Sequence, residues 1–445
     1  MKKIVALVLA VLLLSLGGIN NNLYAKNNQV NVTTSVKKAD EYSNKALKLW
    51  NQGKIEEALK NYDLAIKYDS KNPKRYRDKA LLLQAIDRYE EALEAFRQAQ
   101  RVDPNYYFAL NDEGRLLYLM DRNEEAVKCL EKAVALGKSK NPMLHEAYRY
   151  LGDVYIALGE YEKAVNAYDK AIALKKVPLS YLGKAEALYC LGKYQDTIKV
   201  CDQGIKLMPS LLDLYNYKAR ALLVLEKNAD AEKVYDNFIK LHPKDADGYG
   251  AKANVLVNTG KYEQAMGLYN KAIQLDSQIP DFYHDKGICL HNQGKYAEAI
   301  KCYDQSLKLD SSNAEVYFNK GSALYKLEKY SEAIICSENA LKINPYYADA
   351  HNLKGVSLSV EGELEEAIEC FKNAIKYNPE MAVSYYNCSI AYSVLGYEEE
   401  AITYLKAACD LDNSFREAAS EEAEASEGLF ENIKANDEFK SIVEK

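Results

Sequence analysis

Residues 145–177 read HEAYRYLGDVYIALGEYEKAVNAYDKAIALKKV, and their spacing decides the fold. Tyr148, Gly152 and Tyr155 fall on one helical stripe, and Tyr161, Ala164, Tyr168 and Ala171 on a second. Gly159 sits between the two, where a helix has to stop. The stretch therefore predicts two antiparallel helices joined by a tight turn, each with one apolar face. Such a hairpin cannot bury both faces by itself.

The same pattern recurs along the chain. Units begin at Ala39, Pro73, Tyr107, His145, Pro178, Leu212, Ala246, Pro280, Ala314, Ala348 and Ala382, a 34-residue period broken only by four extra residues, Asn141–Leu144, and by a fourth unit one residue short. We number positions within a unit as registers 1 to 34. Register 8 is always Ala, Gly or Ser, register 11 is Leu or Tyr, and register 20 is Ala in every unit except for Thr197. Register 4 is Tyr in nine units, and His351 replaces it in the tenth. We expect that imidazole to sit as a ring in the core. Register 15 is Gly or an acidic residue. Proline inside a helix costs about 3 kcal/mol, so its placement checks the phase. Pro73, Pro142, Pro178 and Pro280 fall at or just before unit starts, and Pro104, Pro209, Pro243, Pro345 and Pro379 close second helices at register 32.

The pattern of an aromatic, Leu-Gly, Tyr, Ala, an aromatic and Pro, carried here by Tyr148, Leu151-Gly152, Tyr155, Ala164 and Tyr168, resembles the tetratricopeptide repeat (TPR) family. The resemblance covers residues 39–415 as eleven units. It implies an all-α solenoid, a right-handed superhelix in which stacked neighbours bury what one hairpin leaves exposed. Residues 416–445 then read as a terminal cap: an acidic helix over 416–427, followed by the apolar anchors Leu429, Phe430, Ile433, Phe439 and Ile442.

The amino terminus has a different character. Lys2 and Lys3 precede an apolar run from Ile4 to Leu16, and Gly17, Gly18 and Ala25 follow, which reads as a secretory signal over residues 1–25. The chain is then an exported protein of the cell envelope or exterior. An uncleaved leader would make it a membrane-anchored envelope assembly factor. Residues 26–38 read as a polar linker.

With 445 residues, 48% hydrophobic and 28% charged, the chain has the composition of a globular protein. Its 65 acidic against 58 basic side chains, without a Lys/Arg run, argue against a nucleic-acid partner. Tyrosine stands out, with 37 copies beside 9 Phe and 1 Trp. Phosphate-loop, zinc-hydrolase, nucleophile-elbow and paired-cysteine motifs are all missing from the sequence, so we assign no catalytic residue, cofactor or metal. Four of the nine cysteines, Cys129, Cys302, Cys336 and Cys370, share register 23. Stacked helices hold such positions about 10 Å apart, too far for disulfides, so free, buried thiols are expected.

In the family resembled, partners dock on the first helices through registers 2, 5, 6, 9, 12 and 13. The groove residues so implied are Arg77, Asn111, Arg115, Tyr118, Arg149, Tyr189, Asn216, Arg220, Asn254, Asn258, His284, His291, Asn292, Phe318, Asn319, Tyr325, Asn352 and Asn387. Amides both donate and accept, which suits an extended peptide backbone, while rings supply pockets and Arg supplies carboxylate contacts. Asp78, Asp112 and Asp285 interrupt this row at register 6. The expected function is a non-enzymatic scaffold for a protein or peptide partner, with membrane contact only through an uncleaved leader. A metal-dependent or carbohydrate-binding protein using the His284 and His291 face is the alternative.

Overall fold

The computed structural model describes residues 34–137, 143–424 and 428–444. Among them are 24 α-helices and no strand. They fall into two compact blocks, one ending at Leu191 and one starting at Gly192. Each block is a stack of helical hairpins. Nine of the eleven first helices begin at the residue that opens the 34-residue unit, from Pro73–Ala85 to Ala382–Val394. The other two begin early, Leu144–Ala157 by one residue and Thr34–Asn51 by five. The latter takes in the end of the stretch read as a polar linker, because Val36 and Ala39 continue the apolar stripe of that helix backwards. The leader and residues 26–33 lie outside the described residues, as do residues 138–142, which include the first two of the four inserted before the fourth unit.

The turn between the helices explains register 15. All eleven residues there have positive φ, from Gly53 at 75° and Gly159 at 73° to Asp87 at 60°, Asp121 at 57°, Glu226 at 58° and Glu328 at 60°. The left-handed residue lets the register 16 amide reach back to the register 11 carbonyl, as in Lys54 to Leu49 (2.9 Å) and Lys261 to Leu256 (2.8 Å), which ends the first helix. Glycine does this without strain, whereas Glu pays for its Cβ.

Register 8 is small because register 24 of the same hairpin fills the space. A Cβ on Gly287 would lie 2.4–3.0 Å from the Tyr303 ring. Tyr168, Tyr269, Tyr303, Phe96 and Phe371, all at register 24, are among the largest fully buried side chains. Register 4 has another task. The hydroxyls of Tyr76, Tyr215 and Tyr249 donate to the register 32 carbonyls of the preceding repeat, Ser70, Pro209 and Pro243, at 3.0–3.1 Å. His351 makes the same bond, Nε2 to the Pro345 carbonyl at 3.0 Å, and packs near the Tyr377 ring at 5.5 Å. It is half-buried and clasps the repeat junction, so the expected core ring is instead a polar stand-in for tyrosine.

An ionic ladder also joins repeats. Register 7 lysine meets a register 25 acid of the preceding repeat in Lys79–Asp63, Lys184–Asp169, Lys218–Asp202, Lys252–Asp236, Lys320–Asp304 and Lys354–Glu338, at 2.5–2.8 Å. One rung is reversed, with Glu113 at register 7 and Arg97 at register 25, 3.2 Å apart. In another, Lys286 donates to Asn270 at 2.8 Å. Burial alone would lower the Lys320 and Lys354 pKa values, but Asp304 and Glu338 outweigh it and hold both ammonium groups above their ordinary range.

The carboxy-terminal block ends in a cover. The acidic helix runs Ser414–Glu424, and residues 425–427 lie outside the described residues. Phe430, Ile433, Phe439 and Ile442 are buried against Ile402, Leu405 and Cys409 of the last hairpin. Leu429 is 40% exposed and is no anchor. Residues 429–435 form turns rather than a helix, so helical spacing does not carry Leu429 to the side on which Phe430 is buried.

All nine cysteines are free. Cys336 is buried and Cys129, Cys302 and Cys370 are half-buried, so register 23 is filled by thiols acting as small apolar groups. Burial pushes the Cys370 thiol up to about 11 and those of Cys129, Cys201 and Cys388 up to about 12.

Candidate partner-binding surface

The first helices of each block carry a polar surface whose side chains are fastened to one another. In the amino-terminal block, Arg77 donates through Nε to Asp112 Oδ2 at 2.6 Å and lies over the Phe108 ring at 5.2 Å. Arg115 donates to Gln84 Oε1 at 3.2 Å, and Arg149 donates to Asp153 Oδ2 at 2.7 Å. Tyr150 is shared, with the two guanidiniums 6.0 and 3.9 Å from its ring centre. Burial would lower the Arg149 pKa, but the Asp153 charge outweighs it and holds the guanidinium above its ordinary value. Tyr168 donates to the second Asp153 oxygen at 2.6 Å. Arg77, Arg115, Tyr118 and Arg149 are thus brought together as half-buried groups. Asn111 is different, because only 4% of it is exposed and its Oδ1 has no hydrogen-bond partner. It belongs to the packing between helices rather than to the groove. Tyr189, later in this block, is half-buried.

The carboxy-terminal block repeats this linkage with amides. Asn319 Nδ2 meets His284 Nε2 at 2.9 Å, and Asn387 donates to Asn352 Oδ1 at 3.1 Å. These pairs, like Arg77–Asp112, join register 5 of one repeat to register 6 of the next, 35 residues on. Asp112 and Asp285, which seemed to interrupt the Asn row, are acceptors within it, since Asn254 donates to Asp285 Oδ2 at 3.0 Å. Asn216 accepts from the Tyr235 hydroxyl at 2.9 Å, and Asn254 accepts from that of Tyr269. The expected peptide-binding amides are therefore largely occupied within the protein. Asn258 and Asn292, at register 13, are exposed. Phe318 packs on Tyr347 at 5.3 Å and Tyr325 on Tyr330 at 5.4 Å, both half-buried.

His284 and His291 do not act together. His284 is 7% exposed and turns to Asn319 and the Tyr303 ring, while His291 packs edge-on to Tyr296 at 5.0 Å. Burial and then Lys326 lower the His291 pKa. Among the described residues, no three His, Cys, Asp or Glu side chains converge to hold a metal ion.

The first helices of the carboxy-terminal block also border an open concavity. Three consecutive first helices, Leu212–Val224, Ala246–Asn258 and Pro280–Asn292, line a pocket of about 520 Å³. Registers 5 and 6 of the middle helix are Gly250 and Ala251, both in the lining, and the Phe282 ring takes the space that a Cβ on Gly250 would need. Asn216, Arg220, Asn254 and Asn258 border it beside Leu223, Tyr235 and Phe282. Arg220 is exposed, with its guanidinium 5.6 Å from the Tyr217 ring centre. The sequence signal for this pocket is the absence of large side chains at registers 5 and 6 of a single repeat. The row of polar residues in neighbouring repeats conceals it.

Comparisons with known proteins follow the same phase. Tetratricopeptide-repeat profiles match residues 44–107, 151–209 and 218–280, 105–176, and 268–301. Further profiles match 289–328, 314–347, 348–381 and 382–415. No curated protein sequence matches the chain. Among solved structures, the chain is similar to YrrB, described as a TPR protein with an unusual peptide-binding site. The two are 27% identical over 42% of this chain and 97% of that one, with a TM-score of 0.37. It is also similar to MamA from Desulfovibrio magneticus RS-1, at 23% identity over 38% and 96%, with a TM-score of 0.36. For yeast Tom70 the identity is 14% over 92% and 99%, with a TM-score of 0.44. None of the matching profiles is that of an enzyme. With the hairpins in phase and profiles covering residues 44–209 and 218–415, the chain belongs to the tetratricopeptide-repeat family of protein–protein interaction scaffolds.

Proposed function

We propose that the chain is a non-enzymatic scaffold that holds an extended segment of a partner protein along its first-helix surface. The observation that carries this reading is the pocket across the sixth to eighth repeats, lined by small Gly250 and Ala251 and by exposed Asn258 and Arg220. Most of the surface amides and guanidiniums are tied to neighbours, so they shape the surface and the pocket supplies the purchase. An extended segment offers backbone donors and acceptors along its length and a side chain on alternate positions. Selection of a random peptide display library on the full chain tests this, with Ala251→Trp as the blocking variant. We expect peptides to be enriched and their binding lost when the indole fills the pocket. Failure to enrich any peptide, or unchanged binding by Ala251→Trp, refutes the reading.

We also propose that the protein acts outside the cytoplasmic membrane, on the strength of Lys2, Lys3 and the apolar run Ile4–Leu16. Among the described residues, no helix is long and apolar enough to cross a membrane. Amino-terminal sequencing of protein from the source's envelope tests this. A terminus at Lys26 supports cleavage, an intact Met1 in membranes supports anchoring, and an intact Met1 in the cytosol overturns export.

A further inference from the structure

The pocket has one acidic end. Asp281 and Asp285 lie one turn apart on Pro280–Asn292 and so share a face, and Asp247 occupies register 2 of the repeat before, the register of Asp281. All three line the pocket. Three lysines of this part of the chain are committed elsewhere, Lys218 to Asp202, Lys252 to Asp236 and Lys261 to Glu232. From a neighbouring repeat, the Asn254 amide donates to Asp285. Burial first, and then the charges of Asp245, Asp276 and Asp281, push the Asp247 carboxyl above its ordinary range, and burial does the same to Asp285. The three carboxylates share the pocket with one guanidinium, that of Arg220, and outnumber it. The rest of the lining is mixed, with Leu212, Leu223, Val255 and Phe282 beside Asn216, Arg220, Tyr235, Asn254 and Asn258.

Resting on the groove reading above, we propose that this pocket takes an arginine or lysine side chain of the bound segment. Its methylene stem lies on the apolar lining, and its cation is directed to Asp247, Asp281 and Asp285. Long basic side chains are built for such a site, with an apolar stem and a head that needs acceptors. A volume of about 520 Å³ holds that side chain together with its flanking backbone. A metal ion is a poorer match, because no three carboxylates among the described residues converge on a point. A guanidinium reaches separate acceptors through separate N–H groups and needs no such convergence. An acidic side chain is repelled at this end.

The test is display selection on the full chain, followed by titration of one enriched peptide and its Arg→Gln analogue against wild type, Asp281→Asn, Asp247→Asn and the control Asp349→Asn. Asp349 is exposed, has the same register and lies outside the pocket. We expect enriched peptides to align on one Arg or Lys. Asp281→Asn and Asp247→Asn should each weaken the parent peptide about tenfold, as loss of a charge-assisted hydrogen bond does. The Gln analogue should be indifferent to both, and Asp349→Asn should bind as wild type. Asp→Asn keeps the side-chain shape, and matched thermal melts confirm folding. Enriched peptides without an aligned basic residue, or equal weakening by Asp349→Asn, overturn this inference and leave the scaffold reading standing. Failure to enrich any peptide overturns both.

Discussion

The ladder between registers 7 and 25 makes a quantitative prediction at Lys252–Asp236. The ion pair is 2.5 Å long, with the lysine side chain 19% and the aspartate 56% exposed. A pair this open to water contributes only about 0.5–1 kcal/mol. Lys252→Glu replaces that attraction with a repulsion of similar size, so the single reversal should cost about 1–2 kcal/mol. Asp236→Lys, which sets two lysines together, should cost about the same. The double swap restores opposite charges, and the native Arg97–Glu113 rung demonstrates that the joint accepts this polarity. It should fall within about 0.5 kcal/mol of wild type, giving a coupling of about 2 kcal/mol or more in the double-mutant cycle. Repeat arrays can unfold piecemeal, so the assay should be hydrogen exchange of the Ala246–Asn258 amides beside global urea titration. In 1 M salt, where screening acts over about 3 Å, the coupling should drop by more than half. Additive single costs, or a coupling indifferent to salt, refute the idea that the ladder helps hold repeats together.

Three further outcomes follow. His351→Tyr restores the register 4 hydroxyl found at Tyr215 and Tyr249, so stability at pH 7 should be unchanged or rise by up to about 1 kcal/mol. Burial, and after it Lys354, hold the His351 pKa below its ordinary value against the Pro345 hydrogen bond. Its contribution is therefore complete above about pH 6.5 and is lost as pH falls through the lowered value, so thermal melts from pH 7 to 5 should decline less in the variant. Glu226→Gly and Glu328→Gly should each stabilise by about 0.5–1 kcal/mol in urea unfolding, since both glutamates hold φ near 60°; destabilisation contradicts the strain argument. Native protein at pH 8 should expose one fast-reacting thiol to a colorimetric disulfide reagent, because Cys190 alone among the nine cysteines is exposed and burial holds Cys201 and Cys388 in the unreactive thiol form. Denaturant should release all nine, and fast labelling of several native thiols contradicts the packing.

The phase was legible in the sequence because it rests on side-chain volume. Small residues at register 8 and large rings at register 24 lie in one hairpin, where helical spacing reports directly on contact. The turn residue was legible for the same local reason. What the spacing does not report is where a polar group finds its partner in the next repeat. Asn111 and Asn387 look alike as register 5 and 6 amides, yet one is buried in packing and the other bonds to Asn352. His351 looked like a core ring because register 4 was read as volume, whereas its task is a hydrogen bond to the preceding repeat. Leu429 failed for the opposite reason, since helical spacing was applied to a turn. The separations that carry partner choice, 16 residues for the ladder and 35 for the groove pairs, become visible once stacking is known.

The reversed rung at Arg97–Glu113 has a bearing on how such a chain is lengthened or shortened. Excising residues 246–279 sets Lys286 against Asp236, an attractive contact in place of the present amide. Excising 73–106 instead brings Glu113 onto Asp63, two like charges at a seam. Modules of one length are thus not equally interchangeable: each joint carries a polarity, and duplication or loss of a repeat is favoured where the new neighbours carry opposite charges.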